Sequence, residues 1–239
     1  MKQFLNFNSL IERKKISGWG RKSFVESKFL QLESEQGIKD FIKGSYTSSL
    51  ITRGLGRSYG DAAQLKENFI LNVNFSQSIS ISGNQLTVGG GVSIEKVLEV
   101  IVPLGYFLPV SPGSAKVTIG GAIAADVHGK NHHKDGSLGN HVSRILLIDG
   151  RGDIQELKPI QNNSGKTNNF FWATIGGMGL TGIILEATIS LIKIDTSFIK
   201  ADTFICNDLD ALLELMKSKD KEYSYSVAWV DSLHKKTRG

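Results

Sequence analysis

The stretch PGSAKVTIGGAIAADVHGKNHHKDGSLGNHV, residues 112–142, holds six glycines and four of the chain's five histidines. The small residues among positions 120–125 let the backbone approach a ligand closely, because no side chain keeps it away. Backbone N–H groups exposed at such a turn or helix start bind phosphate oxygens. Asp126, His128 and Lys130 follow directly. The stretch therefore predicts a cofactor site with polar, titratable groups beside it.

A second glycine-rich segment, RGLGRSYGD at residues 53–61, follows a short apolar run that predicts a buried strand. Its three glycines allow successive N–H groups to point inward. Arg53 and Arg57 can neutralise phosphate, and Tyr59 can stack or donate a hydrogen bond. An ordinary glycine-rich connection is the alternative interpretation of this segment.

Composition limits the function classes. The 239 residues carry a net charge of +5 and a pI of about 9.2, which suits either a plain basic protein or one that attracts an anion. The lysines and arginines are dispersed, which argues against nucleic acid. A single cysteine excludes an internal disulfide. No leader pattern and no apolar run of about 18 residues is present, so we expect a cytoplasmic protein.

Hydrophobic periodicity predicts the order of the elements. It indicates helices at 33–43, 93–102, 170–175 and 209–216, strands at 50–52, 69–73, 182–194 and 223–230, and hairpins at 79–88 and 142–157. Glycine is absent from residue 196 until the last residue, so a domain boundary is expected near 195. We predict a lead-in at 1–15, a main domain at 16–195 and the beginning of an incomplete second domain at 196–239.

Two motifs invite other interpretations. Residues 177–182 match G-x-G-x-x-G, but a predicted helix precedes them and a strand follows, the reverse of the dinucleotide-binding order. A tight helix-to-strand turn packed against a ligand fits better. His128 and His132 are four residues apart, as on a zinc-binding helix, yet Gly129 interrupts them. Polar site residues, a solvated loop and a metal site remain alternatives, of which we favour the first and predict no metal.

On the basis of these segments, the chain resembles the PCMH-type FAD-binding domain of the vanillyl-alcohol oxidase superfamily. The resemblance rests on GWGR at 18–21, RGLGRSYGDAA at 53–63, PGSAKVTIGGAIAADVHGKNHH at 112–133, GSLGNHV at 136–142, FFWATIGGMGLTGII at 170–184 and YSVAWVD at 225–231. It implies an α+β fold of two α/β subdomains, followed by the start of a substrate domain. Family members are close to twice as long as this chain.

The resemblance also implies roles for residues. The FAD pyrophosphate would be wrapped by Arg53, Gly54, Leu55, Gly56, Arg57, Ser58, Tyr59, Gly60 and Asp61 and further enclosed by Gly113, Thr118, Ile119, Gly120 and Gly121. His128 would lie beside the flavin, and Ile183 would contact the cofactor through its backbone. Lys130 and Trp229 would bind substrate, and His128, Lys130 and Tyr59 would form the catalytic group.

Within the superfamily, the chain is similar to the flavoprotein half of two-component epimerases. That similarity implies hydride transfer to flavin N5 from C2 of a polyprenylphosphoryl ribose, a precursor of cell-wall arabinan, with an NADH-dependent reductase as partner and possible peripheral membrane association. The FAD would be non-covalent, because Arg57 stands where sugar-alcohol oxidases of the superfamily place a flavin-linked histidine. The alternatives are an alditol or aldonolactone oxidase of soluble polyols, and an inactive fragment that binds the reductase.

Overall fold

The computed structural model describes residues 7–44, 49–72, 77–159 and 169–230. The helices are α1 (Glu35–Lys43), α2 (Ile94–Ile101), α3 (Ile119–Ala124), α4 (His132–Asp135), α5 (Asn169–Thr174) and α6 (Leu209–Lys219). The strands are β1 (Ile11–Ser17), β2 (Phe24–Gln31), β3 (Leu50–Arg53), β4 (Phe69–Asn72), β5 (Ile79–Ser82), β6 (Gln85–Gly89), β7 (Tyr106–Phe107), β8 (Val142–Ile148), β9 (Ile154–Leu157), β10 (Ile183–Ser190) and β11 (Ile192–Lys193). In the described part of the chain, no helix combines the length and apolar character needed to cross a bilayer.

The first subdomain is a four-stranded mixed sheet in the order β1-β2-β4-β3. Strand β1 pairs antiparallel with β2, whereas β4 runs parallel to both of its neighbours. Helix α1 begins at the N-cap Ser34, whose side chain accepts from the Gly37 N–H, and buries Ile38 and Phe41. The lead-in predicted for residues 1–15 thus supplies most of an edge strand.

The second subdomain is a five-stranded antiparallel sheet in the order β5-β6-β10-β8-β9. Strands β8 and β10 lie in its middle and are apolar at successive positions. Ile145 and Ile184 face a core shared with α2 and α3, while Ile148 and Ile183 face a core shared with α1. Side chains alternate between the faces of a strand, so these two strands hold the subdomains together.

Most predicted elements are confirmed, including the α+β class, both hairpins, the helices and the strand before the first glycine loop. Residue 73, predicted to end a strand, lies outside the described residues. The strand predicted for 223–230 is wrong: these residues have no regular structure and no pairing strand within the described ranges. Instead, the Ser226 N–H donates to the Lys130 carbonyl at 2.9 Å. An alternating pattern forms a strand only where a neighbouring edge accepts its hydrogen bonds.

Candidate functional site

A cavity of about 210 Å³ opens where four backbone segments meet. They are the loop after β3, the glycines that end β6, helix α3 and the turn that precedes β10. Glycine and alanine dominate its wall, which comprises Thr52, Gly54, Leu55, Gly56, Arg57, Ser58, Ala62, Ala63, Gly90, Gly91, Val117, Thr118, Gly120, Gly121, Ala122, Ala124, Ala125, Val127, Met178, Gly179, Gly182 and Ile184. A wall of backbone suits a ligand recognised through N–H groups.

The loop after β3 presents such donors. No backbone N–H of residues 55–61 has an acceptor among the residues that the structure describes. The carbonyls of Ser58 and Tyr59, in contrast, accept from the N–H groups of Trp19 and Gly20 at 2.7 and 3.2 Å. The 18–21 turn therefore holds the carbonyl side of the loop and leaves its N–H side available for an anion.

The start of α3 contributes close packing instead of free donors. The N–H groups of Ile119 and Gly120 donate to the carbonyls of Val92 and Gly90, both at 2.8 Å, and the Gly121 N–H donates to Thr118 Oγ1 at 3.2 Å. The first-turn donors predicted to hold phosphate thus already have protein acceptors. A Cβ at Gly54 would collide with the Thr118 side chain, so glycine lets the loop lie directly against the helix.

The two arginines of the loop have different surroundings. The Arg53 guanidinium donates to the carbonyls of Ser17 and Ala63 at 2.8 and 3.0 Å, and burial lowers its pKa. Arg53 thus supports the loop from within the protein. Arg57 lines the cavity, where its guanidinium lies over the Trp19 ring at 4.1 Å and its Nε donates to the Lys116 carbonyl at 3.2 Å.

The polar segment after α3 is anchored at both ends. Asp126 has a φ of 42° and accepts the Gly139 N–H at 2.9 Å, which turns the chain out of the helix. Farther on, the buried Asn131 donates to the Pro109 carbonyl at 2.7 Å. Between these anchors His128 and Lys130 are exposed. In the described ranges, no three His, Cys, Asp or Glu side chains are grouped so as to hold a metal ion.

The segment after α6 packs on this polar segment. Besides the Ser226–Lys130 bond, Lys134 Nζ donates to the Lys221 carbonyl at 3.4 Å. Burial, together with the charge of Asp135, raises the pKa of Tyr225. Residues 221–226 therefore contact the histidine-rich loop, while Trp229 is 76 % exposed.

Comparison with known proteins identifies the family. A sequence profile described as "FAD binding domain" matches residues 27–158, more than half of the chain. The chain belongs to this FAD-binding family. FAD is its cofactor, and the glycine-lined cavity is the place in the described structure that suits the cofactor's diphosphate.

Several curated relatives of this FAD-binding chain are oxidoreductases. The chain is 37 % identical over 229 residues to decaprenylphosphoryl-beta-D-ribose oxidase of Mycolicibacterium smegmatis. This alignment covers 93 % of this chain and 49 % of that protein. It is 27 % identical to cytokinin dehydrogenase 9 of Oryza sativa, covering 63 % and 29 %. With L-gulonolactone oxidase 3 of Arabidopsis thaliana the identity is 25 %, covering 66 % and 27 %. The chain spans half or less of the length of these relatives.

A second cavity, of about 250 Å³, adjoins the first one and could accommodate another part of FAD. It shares Thr52, Gly179 and Gly182 with the first cavity and extends between α1, β3 and β10. Polar and apolar surfaces contribute about equally to its wall, and the Thr181 hydroxyl is buried beside it with no partner among the described residues. The two adjoining cavities therefore suit an elongated cofactor such as FAD.

The structure brings together part of the predicted residue set. The cavity is lined by the predicted residues Gly54, Leu55, Gly56, Arg57, Ser58, Thr118, Gly120 and Gly121. Ile119 is in the core, and Ile183 lines the second cavity. The predicted residues outside both cavities, besides Ile119, are Arg53, Tyr59, Gly60, Asp61, Gly113, His128, Lys130 and Trp229. The helix-to-strand turn predicted at 177–182 is confirmed and contributes Met178, Gly179 and Gly182 to the wall.

Sequence reasoning missed Gly90 and Gly91. A Cβ at Gly90 would collide with the Ile184 carbonyl, and one at Gly120 would lie 3.0 Å from the Gly90 carbonyl. Position 90 is thus the point where β10 and α3 both approach the end of β6. The run Gly89-Gly90-Gly91 was the available signal, because three successive glycines indicate a close backbone contact.

Proposed function

We propose that this chain is the FAD-binding part of an FAD-dependent oxidoreductase that acts on CH–OH donors. Its substrate is a lipid-phosphoryl sugar, oxidised at the C2 hydroxyl to a keto sugar. The observation that carries the proposal is the 37 % identity that extends over 93 % of the chain, well past the FAD-binding match at 27–158. Because 93 % of the chain is aligned, the aligned portion includes the polar loop after α3.

Backbone donors of residues 55–58 and the Arg57 guanidinium bind the diphosphate, and the second cavity receives the adenine. The cofactor is held without a covalent bond. Arg57 cannot form a flavin linkage, and its stacking on Trp19 keeps it in the cavity wall. The one cysteine, Cys206, is buried and follows the last strand, outside both cavities.

The flavin, when bound, supplies the hydride acceptor for oxidation of the alcohol. His128 and Lys130 bind the C2 oxygen and favour loss of its proton, because an alcohol is a very weak acid and needs a base or strong hydrogen-bond donors. Lys130 has no ion-pair partner among the described residues, so its charge is available. Tyr59 and Trp229 are 77 % and 76 % exposed and line the substrate side.

An NADH-dependent short-chain reductase completes the proposed epimerisation by reducing the keto sugar. A lipid-linked substrate also requires access to a membrane surface. Both proposals rest on the similarity to the decaprenylphosphoryl-ribose enzyme and on the net charge of +5.

An absorption spectrum before and after acid precipitation tests the cofactor proposal. We expect flavin bands at about 375 and about 450 nm that pass into the supernatant. Flavin that stays in the pellet would show covalent attachment and refute the role given to Arg57. A chain that takes up no FAD would be an inactive fragment, whose remaining use could be to bind the reductase.

Anaerobic reduction tests the substrate. We expect a polyprenylphosphoryl ribose to bleach the flavin, while xylitol and L-gulono-1,4-lactone do not. The reverse result would favour the soluble-substrate alternative, which the 25 % identity to an L-gulonolactone oxidase supports.

A further inference from the structure

The tip of the β1–β2 hairpin carries an unusual combination of exposed residues. Five cationic residues and no acidic ones occur between positions 13 and 25, and residues 19–24 are all exposed. Trp19 is 50 % and Phe24 55 % exposed. We define the basic-aromatic patch as Lys15, Trp19, Arg21, Lys22 and Phe24.

The charges of the patch are not neutralised. Arg13 and Lys14, on the strand, pair with Glu67 and Glu12 at 3.2 and 2.8 Å. Lys15, Arg21 and Lys22 have no acidic partner within 4.0 Å in the part of the chain that the structure describes. Three cations that form no salt bridge therefore surround the exposed aromatic rings; one of them, Lys15, lies opposite Glu26 in the strand pair.

The patch is continuous and preorganised. Lys15 Nζ lies 5.8 Å from the centre of the Phe24 ring, and Ser17 pairs with Phe24 to close the hairpin. The Arg21 N–H donates to the Gly18 carbonyl at 3.1 Å, and the hydrogen bonds of Trp19 and Gly20 attach the turn to the glycine loop. Because the patch is already ordered, its side chains would lose little conformational entropy on binding to a flat surface.

We propose that the basic-aromatic patch docks the protein on an anionic phospholipid surface. Tryptophan and phenylalanine enter the headgroup region, and lysine and arginine are attracted by acidic lipids. Aromatic rings at the centre of a small cationic set favour a bilayer over nucleic acid, for which the basic residues of this chain are too dispersed. Because Trp19 stacks on Arg57, docking brings the mouth of the cofactor cavity to the membrane.

This inference rests on the membrane access in the proposed function but is tested without turnover. The purified chain is sedimented with vesicles of equimolar phosphatidylglycerol and phosphatidylcholine, or of phosphatidylcholine alone. We expect binding to the anionic vesicles only. Each Lys or Arg near such a surface changes the partition constant by about fivefold, so K15Q/R21Q/K22Q should lower it on the order of a hundredfold.

The control K193Q/K200Q/K217Q removes the same charge from exposed lysines far along the chain. It should lower binding much less than the patch variant. F24S should weaken vesicle binding while leaving the flavin spectrum unchanged, which separates the patch from the cofactor site. Equal losses in the two triple variants would overturn the proposal, since nonspecific net charge would then explain binding. So would binding to single-stranded RNA but not to vesicles.

Discussion

Substitution of Gly54 by alanine tests the contact between the first glycine loop and α3. The new Cβ would collide with Thr118 Oγ1 and lie 3.1 and 3.2 Å from Thr118 Cγ2 and Cβ. Rotation of Thr118 cannot clear all three atoms, and its hydroxyl caps α3 by accepting the Gly121 N–H. We therefore expect G54A to lower the free energy of unfolding by about 2 kcal/mol, the usual cost of overpacking.

The coupling between the two positions makes the prediction specific. T118A removes Oγ1 and Cγ2 and should cost about 1 kcal/mol through loss of the cap. If the effects were independent, G54A/T118A would lose about 3 kcal/mol; relief of the collision should instead hold the loss to about 1–1.5 kcal/mol. G60A is the matched control, because a Cβ there meets nothing within 4 Å.

Urea unfolding of the four variants measures these differences, and titration with FAD measures the consequence for the cavity. G54A should raise the Kd of FAD about tenfold or more, whereas G60A should change it little. Strict additivity in the double variant, or equal behaviour of G54A and G60A, would refute the proposed close approach of loop and helix.

Three further predictions concern other contacts. W19L should raise the Kd of FAD about fivefold by removing the support of Arg57, with W19F restoring part of it and W172L as the control. Hydrogen bonds from two backbone N–H groups outweigh burial and lower the pKa of the Asp149 carboxyl. A lowered pKa stabilises the fold above the unfolded value of about 3.9, so D149N should lose about 1–2 kcal/mol at pH 7 and progressively less as the pH falls below that value in urea unfolding. S93A should cost about 1 kcal/mol in the same assay, because the Ser93 hydroxyl caps α2 through the Lys96 N–H.

Local sequence patterns predicted the secondary structure correctly for helices and strands that bury one face. The hairpin around Gly83-Asn84 and the helix capped by Ser93 were predictable because their turn and cap residues determine them locally. The strand predicted at 223–230 was wrong because its outcome depends on a partner edge, which periodicity does not reveal. The role of the first strand was missed because charges fill it: an exposed edge strand lacks the apolar signal on which prediction relies.

The candidate site was predictable as two glycine-rich segments but not as a cavity. That Arg53 is directed into the protein and Arg57 toward the cavity depends on Ser17, Trp19 and Lys116, which lie far from the loop in sequence, and on Ala63 just after it. Gly90 is needed because the backbones of two different elements, β10 and α3, approach it closely. Such long-range contacts are set by tertiary packing, so a single sequence indicates the donor types and leaves their directions undetermined.

The clearest difference between sequence and structure concerns which amides bind the diphosphate. Both glycine-rich segments were expected to donate, yet the amides of Ile119, Gly120 and Gly121 already have acceptors, whereas those of residues 55–61 have none among the described residues. Hydrogen exchange followed by mass spectrometry should therefore show peptides covering 55–61 becoming protected when FAD is added. Peptides covering 119–121 should exchange slowly with or without FAD, because exchange requires their protein hydrogen bonds to open first. A larger gain of protection at 119–121 than at 55–61 would mean that the start of α3 rearranges on binding and that its amides bind the phosphate.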